Sequence, residues 1–386
     1  MRIIHIIPIL GCGGAEILLG NIVKKQFLNG NDVFICCLYK HHKTFDNYPN
    51  RDFILKNIPI QIIKTRVKFS LKNKPKIIGD DYERLLDKFQ PDVIHSHLYE
   101  AEIIAMSSIR KNVSYFSHIH DNIFQFNKLK INNLFSRQKM GQFIETNWLY
   151  SRFRLANSTF LCVSNDVLNF MKYNLSVDFT KKIKLLLNGI DIEKFTCDEK
   201  RDLSKVRIVS VGNLVTKKNH QLLIEIALQL KKNISSDFQI DILGYGPLFE
   251  NLTLEIKNNN LQNNIFLRGS VGNVDQYYKS ANIYIHTATY EPFGLVLVEA
   301  MASGLPLIAL DGKGNRDLFE GKNNGFLILK NDPKLFVDKI KLLINDVELY
   351  STISNNCIEF SKQFGIDSYV EKLNSIYRSI MEQSVV

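Results

Sequence analysis

"YEPFGLVLVEAMASGLPLIA", Tyr290 to Ala309, decides how the chain is built. It leaves the β-branched run "NIYIHT" (282–287), crosses a short turn and enters an apolar helical pattern predicted to start at Phe293 or Gly294. The helix stops at Gly-Leu-Pro (304–306), and the chain re-enters a strand, "LPLIAL". A strand, a helix and a second strand in so few residues are the repeating unit of a parallel α/β sheet.

The unit also carries polar groups at telling places. Glu291 precedes the helix and Glu299 follows eight positions later, on its second turn. The first N–H groups of a helix have no partner inside it, so those of Gly294, Leu295 and Val296 form an expected anion site. A diphosphate would lie over that tip, with one carboxylate beside a sugar and the other beside a ribose diol. A capped helix with two incidental surface acids is disfavoured by Gly294 and by the abrupt stop.

The same rhythm runs through the chain of 386 residues. Strand candidates in the first half are "RIIHII", "DVFICCL", "DVIHSH", "VSYFSHI", "TFLCVS" and "IKLLL". In the second half they are "VRIVSVG", "FQIDILG", "NIFLRG", "NIYIHT", "LPLIAL" and "GFLIL", with amphipathic stretches between them. Two parallel-sheet α/β domains follow, 1–195 and 196–365, joined by the polar stretch around "NGIDIEKFTCDEKRDLSK". A closing helix over 366–386 is expected to pack back on the first domain. Ligands in such sheets bind at strand C-termini, so the two domains are expected to face a cleft.

Bulk properties narrow the classes. The chain is 45% hydrophobic and 23% charged, a globular composition, and no apolar run reaches the length of a membrane-spanning helix. Six cysteines without metal-ligand spacing read as reduced thiols, and the apolar start as a buried strand. These point to a cytoplasmic protein. Residues 1–190 hold 27 Lys and Arg against 15 Asp and Glu, while the remainder holds 22 against 24. The densest cationic stretch, "KTRVKFSLKNKPK", reads as a basic loop presenting Lys64, Arg66, Lys68, Lys72, Lys74 and Lys76 among apolar residues. Such a patch suits an anionic membrane surface or a phosphate-bearing acceptor. No stacking signature or binding module argues for nucleic acid.

The first glycine turn, "GCGGAE" (11–16), is not a dinucleotide fingerprint. Its sixth position is Glu16, and the second strand ends "CCLYK" without the acid that would hold a ribose. It remains a tight turn that lets a ligand approach the first helix.

Together these segments resemble the GT-B glycosyltransferases of family 4, also called glycosyl transferases group 1. The block from Glu291 to Glu299 resembles their E-x7-E signature. "GGAE", "DVIHSH", "SHIHD", "NGID", "VGNLVTKKNHQLLI" and "LGYGPL" are similar to the family's other landmarks in order and spacing. The resemblance covers essentially the whole chain. It implies two Rossmann-like domains, a nucleotide-diphosphate sugar donor (a UDP-sugar by frequency among relatives) and a retaining mechanism. It also implies a saccharide or lipid-linked acceptor of the O-antigen, capsule or lipopolysaccharide type, met at the inner face of the plasma membrane.

Residue by residue, the resemblance puts Lys218 on the diphosphate, Glu291 on the sugar and Glu299 on the ribose. Phe293, Gly294, Leu295 and Val296 would supply backbone contacts, and Gly14, Asn213 and Gly244 would line the donor. His120, or alternatively His118, would meet the donor sugar near the reacting carbon. Asn213 stands where the family often has Arg, Thr287-Ala288 where Pro-Ser is usual, and Asp317 near the place of a customary Glu.

The pairs His95/His97 and His118/His120 invite a metal reading, but such sites need further ligands at barrel strand ends, and two open sheets are expected here. No Asp-x-Asp is present, so Lys218 and a helix dipole are expected to replace a metal, with no cofactor. Two other readings remain: a sugar-nucleotide epimerase of the same fold, and a catalytically silent glycan-binding homologue.

Overall fold

The structure is a computed structural model that describes residues 1–41, 45, 46, 48, 50–70, 74–123, 126, 137–197, 201–233 and 237–383. The chain divides into two compact units, Met1–Leu187 with Asp367–Val386, and Asn188–Ile366.

The first unit is built on seven parallel strands: β1 (Arg2–Ile7), β2 (Asp32–Cys37), β3 (Ile60–Ile62), β6 (Val93–His97), β7 (Ser114–Ile119), β8 (Thr159–Cys162) and β9 (Ile183–Leu185). Between β3 and β6 lies an antiparallel hairpin, β4 (Arg66–Lys68) and β5 (Lys76–Ile78). The sheet order is β3-β2-β1-β6-β7-β8-β9. β1 is central and carries Ile3, Ile4, Ile6 and Ile7 with no exposure, since a parallel strand covered on both faces needs apolar side chains in both directions. The order reverses between β1 and β6, so the C-terminal ends of those two strands flank the place where such sheets take ligands.

The second unit repeats the scheme with β10 (Val206–Val211), β11 (Phe238–Leu243), β12 (Ile265–Gly269), β13 (Ile283–His286), β14 (Leu307–Leu310) and β15 (Gly325–Ile328). Their order is β12-β11-β10-β13-β14-β15, all parallel, with the reversal between β10 and β13.

All twelve strands expected from the sequence are present, and the structure adds three. β3 has three residues at a sheet edge after Pro59, too short for an alternation pattern. The basic stretch expected as a loop is instead the β4–β5 hairpin, pinned where Asp81 accepts hydrogen bonds from the Lys64 amide and the Thr65 hydroxyl.

The division between units falls at 187/188 rather than at 195/196. The Ile190 N–H reaches the Phe364 carbonyl at 2.8 Å, the Ser303 hydroxyl donates to the Phe195 carbonyl at 2.7 Å, and Phe195 packs edge-on against Tyr278. These bonds assign the linker to the second unit. The final helix, Ile366–Gln383, belongs to the first. Its buried side chains are Tyr369, Val370, Leu373, Asn374 and Tyr377, so the inward stripe is apolar and aromatic except for Asn374.

Candidate functional site

In the second unit, the polar residues gather at the C-terminal ends of β10 and β13. β10 runs into a turn of 3-10 helix, Thr216–Lys218. Two bonds hold that turn on the segment after β13: the Thr287 hydroxyl donates to the Lys218 carbonyl at 2.8 Å, and the Thr289 N–H to the Lys217 carbonyl at 2.9 Å. This brings the Lys218 ammonium within 2.5 Å of Glu291 Oε2. His286, the last residue of β13, donates from Nε2 to the same oxygen at 2.8 Å, and the Tyr284 hydroxyl lies 3.3 Å from its Nδ1.

Glu291 is 7% exposed. Burial alone would raise its pKa, but the Lys218 charge and the His286 hydrogen bond prevail and lower it to about 2. His286 is fully buried, and burial lowers its own pKa, so it donates as a neutral imidazole rather than as a cation. Oε2 is thus committed to two donors, which leaves Oε1 as the face of the carboxylate open to other hydroxyls.

The signature helix is Leu295–Ala302, starting just after the Phe293 or Gly294 expected from the sequence. Gly294 is its N-cap with φ +94, where a Cβ would come within 2.7 Å of Leu297 Cδ1, so glycine is needed both for the angle and for space. The N–H groups of Gly294, Leu295 and Val296 meet no acceptor among the described residues. Phe293 turns its ring into the core against Phe364, so only its backbone faces outward. Glu299 is 8% exposed and accepts from the Tyr278 hydroxyl at 3.1 Å. Burial pushes its pKa up to about 7, against the opposing effect of that hydrogen bond.

Asn213 is exposed at the end of β10. Gly244 has φ +137, and a Cβ there would meet the Gly212 carbonyl oxygen at 2.0 Å. It lets the β11 turn close on the β10 turn, which shapes the loop holding Asn213 and Lys218.

In the first unit, Gly13 caps the helix Gly14–Leu28, and Gly14 is exposed at its first position. Five histidines on β1, β6, β7 and just past β7 pack ring against ring: His5, His95, His97, His118 and His120. His118 has no exposed surface, and neither ring nitrogen has a hydrogen-bond partner. His120, just past β7, is half-buried. Of the two histidines proposed for the donor sugar, only His120 is open to a ligand.

The coordinating atoms of His97, His118 and His120 lie within 4.8 Å of one another, as do those of His5, His95 and His97. An imidazole lone pair lies in the ring plane, so three ligands must aim their planes at one point. Here His118 and His120 stack face to face at 4.2 Å and 21°, while His97 Nδ1 and His120 Nε2 face each other at 3.1 Å, so the three rings do not aim at one common point. The arrangement suits ring stacking and pairwise hydrogen bonds better than a metal centre.

Lys64, Arg66, Lys68, Lys74 and Lys76 are all exposed on or beside the β4–β5 hairpin, with Ile77 and Ile78 nearly half exposed between them. Lys72 lies outside the described residues. No described helix is long and apolar enough to cross a membrane.

His286 carries no role in the sequence reading. Its position at the end of β13, five residues before Glu291, was the available signal; the intervening turn brings the two together. The links from His5 and Gln26 toward His120 had no local signal at all.

The two parallel-sheet units and two family models identify a GT-B glycosyltransferase. Residues 12–194 match the family model "Glycosyltransferase Family 4" and residues 191–360 match "Glycosyl transferases group 1". The chain belongs to this family. It is 33% identical over 175 residues to an uncharacterized glycosyltransferase of Haemophilus influenzae, a match spanning 45% of this chain and 49% of that protein. It is 25% identical over 309 residues to the Escherichia coli UDP-Gal:alpha-D-GlcNAc-diphosphoundecaprenol alpha-1,3-galactosyltransferase, covering 76% of this chain and 77% of that one. Among solved structures, Anabaena Alr3699/HepE in complex with UDP and glucose superposes with a TM-score of 0.76 at 19% identity, over 98% of this chain and 100% of that one.

Proposed function

We propose that the protein transfers a sugar, with retention, from a UDP-sugar to a lipid-linked or cell-envelope saccharide, without a metal. The observation that carries this reading is the Lys218–Glu291–His286 cluster beside the unpartnered N–H groups at the Leu295–Ala302 tip.

In this reading the helix tip and Lys218 hold the donor diphosphate. They stabilise the charge that builds on it as the glycosidic bond breaks, the work a divalent ion does elsewhere. Oε1 of Glu291 takes sugar hydroxyls while Lys218 and His286 hold the carboxylate still. Glu299 takes the ribose diol. His120 is assigned to the donor sugar on family resemblance. The leaving phosphate would accept the acceptor's proton in a front-face attack, so no side chain need act as nucleophile; the protein contributes positioning and charge.

The donor and acceptor classes draw support from the Escherichia coli relative, whose name specifies UDP-Gal and a diphosphoundecaprenol-linked acceptor, and from HepE, crystallised with UDP and glucose. The exposed cationic hairpin with Ile77 and Ile78 supports work at an anionic membrane face.

Lys218→Ala and Glu291→Ala should each lower turnover about 10²-fold or more, the usual cost of removing a charge-stabilising group. UDP release from UDP-glucose and UDP-galactose, with and without an undecaprenyl-diphosphate saccharide, reads this directly. Rates near wild type in both variants would overturn the assignment, and a new sugar nucleotide formed without acceptor would point to an epimerase.

A further inference from the structure

One route through the histidine stack runs by hydrogen bonds and ends at the ring open to a ligand. Gln26, on the helix Gly14–Leu28, donates from Nε2 to Asn374 Oδ1 of the final helix at 3.2 Å. That contact turns the amide NH2 toward the final helix and leaves Oε1 facing His5. His5 Nε2 lies 2.8 Å from that oxygen and must therefore carry the proton.

A neutral imidazole has one N–H, and burial keeps these rings neutral: it lowers the pKa of His5 to about 4 and of His120 to about 3, and that of His97 well below its usual range. His5 Nδ1 is then bare and accepts from His97 Nε2 at 3.1 Å. By the same rule His97 Nδ1 is bare and accepts from His120 Nε2, also at 3.1 Å.

We infer that the chain Gln26–His5–His97 locks His120 in its Nε2–H form, so that His120 presents Nδ1 as a hydrogen-bond acceptor, and that Asn374 of the C-terminal helix sets the direction of the whole chain. Reversing the Gln26 amide would reverse every proton in the row and present an N–H at Nδ1 instead. Nδ1 is the nitrogen not used within the stack, and unlike the nitrogens of His118 it is not sealed from solvent.

Gln26, His5, His97 and Asn374 are thus positioning residues, which explains why polar side chains occupy an otherwise apolar core. The consequence deepens the proposed function and rests on its placement of His120: the ring accepts a hydrogen bond from a donor-sugar hydroxyl. A donor whose hydroxyl is replaced by fluorine, which cannot donate, should be discriminated against at that position.

The test uses the full-length protein with ¹⁵N-labelled histidine. Two-bond ¹⁵N–¹H spectra distinguish a bare Nδ1 from a bare Nε2, and His120→Gln assigns the His120 signals. The expected result is a bare Nδ1 in the wild type, lost or mixed in Gln26→Leu and Asn374→Leu but kept in Asn374→Asp, which still offers Gln26 an acceptor. In parallel, kcat for the UDP-sugar should fall about tenfold in the two leucine variants with little change in acceptor KM, as expected for one misdirected hydrogen bond, and recover in Asn374→Asp. Intrinsic fluorescence of Trp148 verifies folding of each variant. A protonated Nδ1 in the wild type, or an unchanged spectrum in folded leucine variants, overturns the inference. If the spectra change as expected and turnover does not, the lock stands and the assignment of His120 to the donor sugar falls.

Discussion

Glu102 offers a sharp test of how burial sets charge in the first unit. It lies on the helix Tyr99–Ala105 with no exposure, and its Oε2 accepts from the Ser96 hydroxyl at 2.8 Å and the Ser117 hydroxyl at 2.7 Å. Oε1 has no partner. Ser96 separates His95 from His97 on β6, and Ser117 precedes His118 on β7, so this carboxyl supports the sheet on the face opposite the histidine stack. Burial pushes its pKa up to about 8, only partly offset by the two serines.

Below pH 4.5 the carboxyl is protonated in both folded and unfolded chains, and the stabilisation linked to its proton is fully present. As pH rises from 4.5 to about 8 the unfolded chain releases the proton and the folded chain keeps it. Stability then falls by about 1.4 kcal/mol per pH unit, or roughly 4–5 kcal/mol across the window. Glu102→Gln is nearly isosteric and does not titrate. Its fixed cost or gain cancels when two pH values are compared. The variant should therefore gain several kcal/mol relative to wild type between pH 5 and pH 8.5. Urea titrations followed by Trp148 fluorescence isolate the effect, because Trp148 is the only tryptophan in the chain and lies in the same unit. A difference between the two proteins that stays constant from pH 5 to pH 8.5 would refute the account of Glu102 as a buried, protonated acid.

Other expectations follow from the second unit and the hairpin. Because burial raises Glu299 to about 7, UDP affinity should increase about fivefold from pH 6 to pH 8 as the carboxylate forms and accepts from the ribose more strongly. Calorimetry on Glu299→Gln should show that this increase is gone, and a flat wild-type profile would count against the ribose assignment. EDTA should leave turnover unchanged; activity lost to chelation and restored by Mg²⁺ or Mn²⁺ would remove Lys218 from its proposed role. Changing Lys64, Arg66, Lys68, Lys74 and Lys76 to Gln should abolish salt-sensitive binding to phosphatidylglycerol vesicles, at about 1 kcal/mol per cation. Undiminished binding would place the membrane contact elsewhere.

How much of this was legible beforehand depends on the range of the forces involved. Strands such as "RIIHII" and "FQIDILG" announce themselves because burial of both faces demands β-branched residues in sequence, a purely local pattern. β3 did not, because three residues at an edge carry too little apolar alternation. The helix tip at Gly294 was readable because its glycine and flanking glutamates are neighbours in the chain. The hairpin was misread as a loop because its cations interrupt the strand alternation, while its register depends on pairing Arg66 with Ile78 and Lys68 with Lys76.

The α/β rhythm, the two domains and the spacing of Glu291 and Glu299 are written locally, since each follows from residues a few positions apart. Tertiary structure alone decided that Lys218 would meet Glu291 across 73 positions, and that Gln26, His5, His97, His120 and Asn374 would form one hydrogen-bonded row. It also decided which acids keep their protons. Desolvation depends on what the folded chain packs around a group, and no local pattern of residues records that.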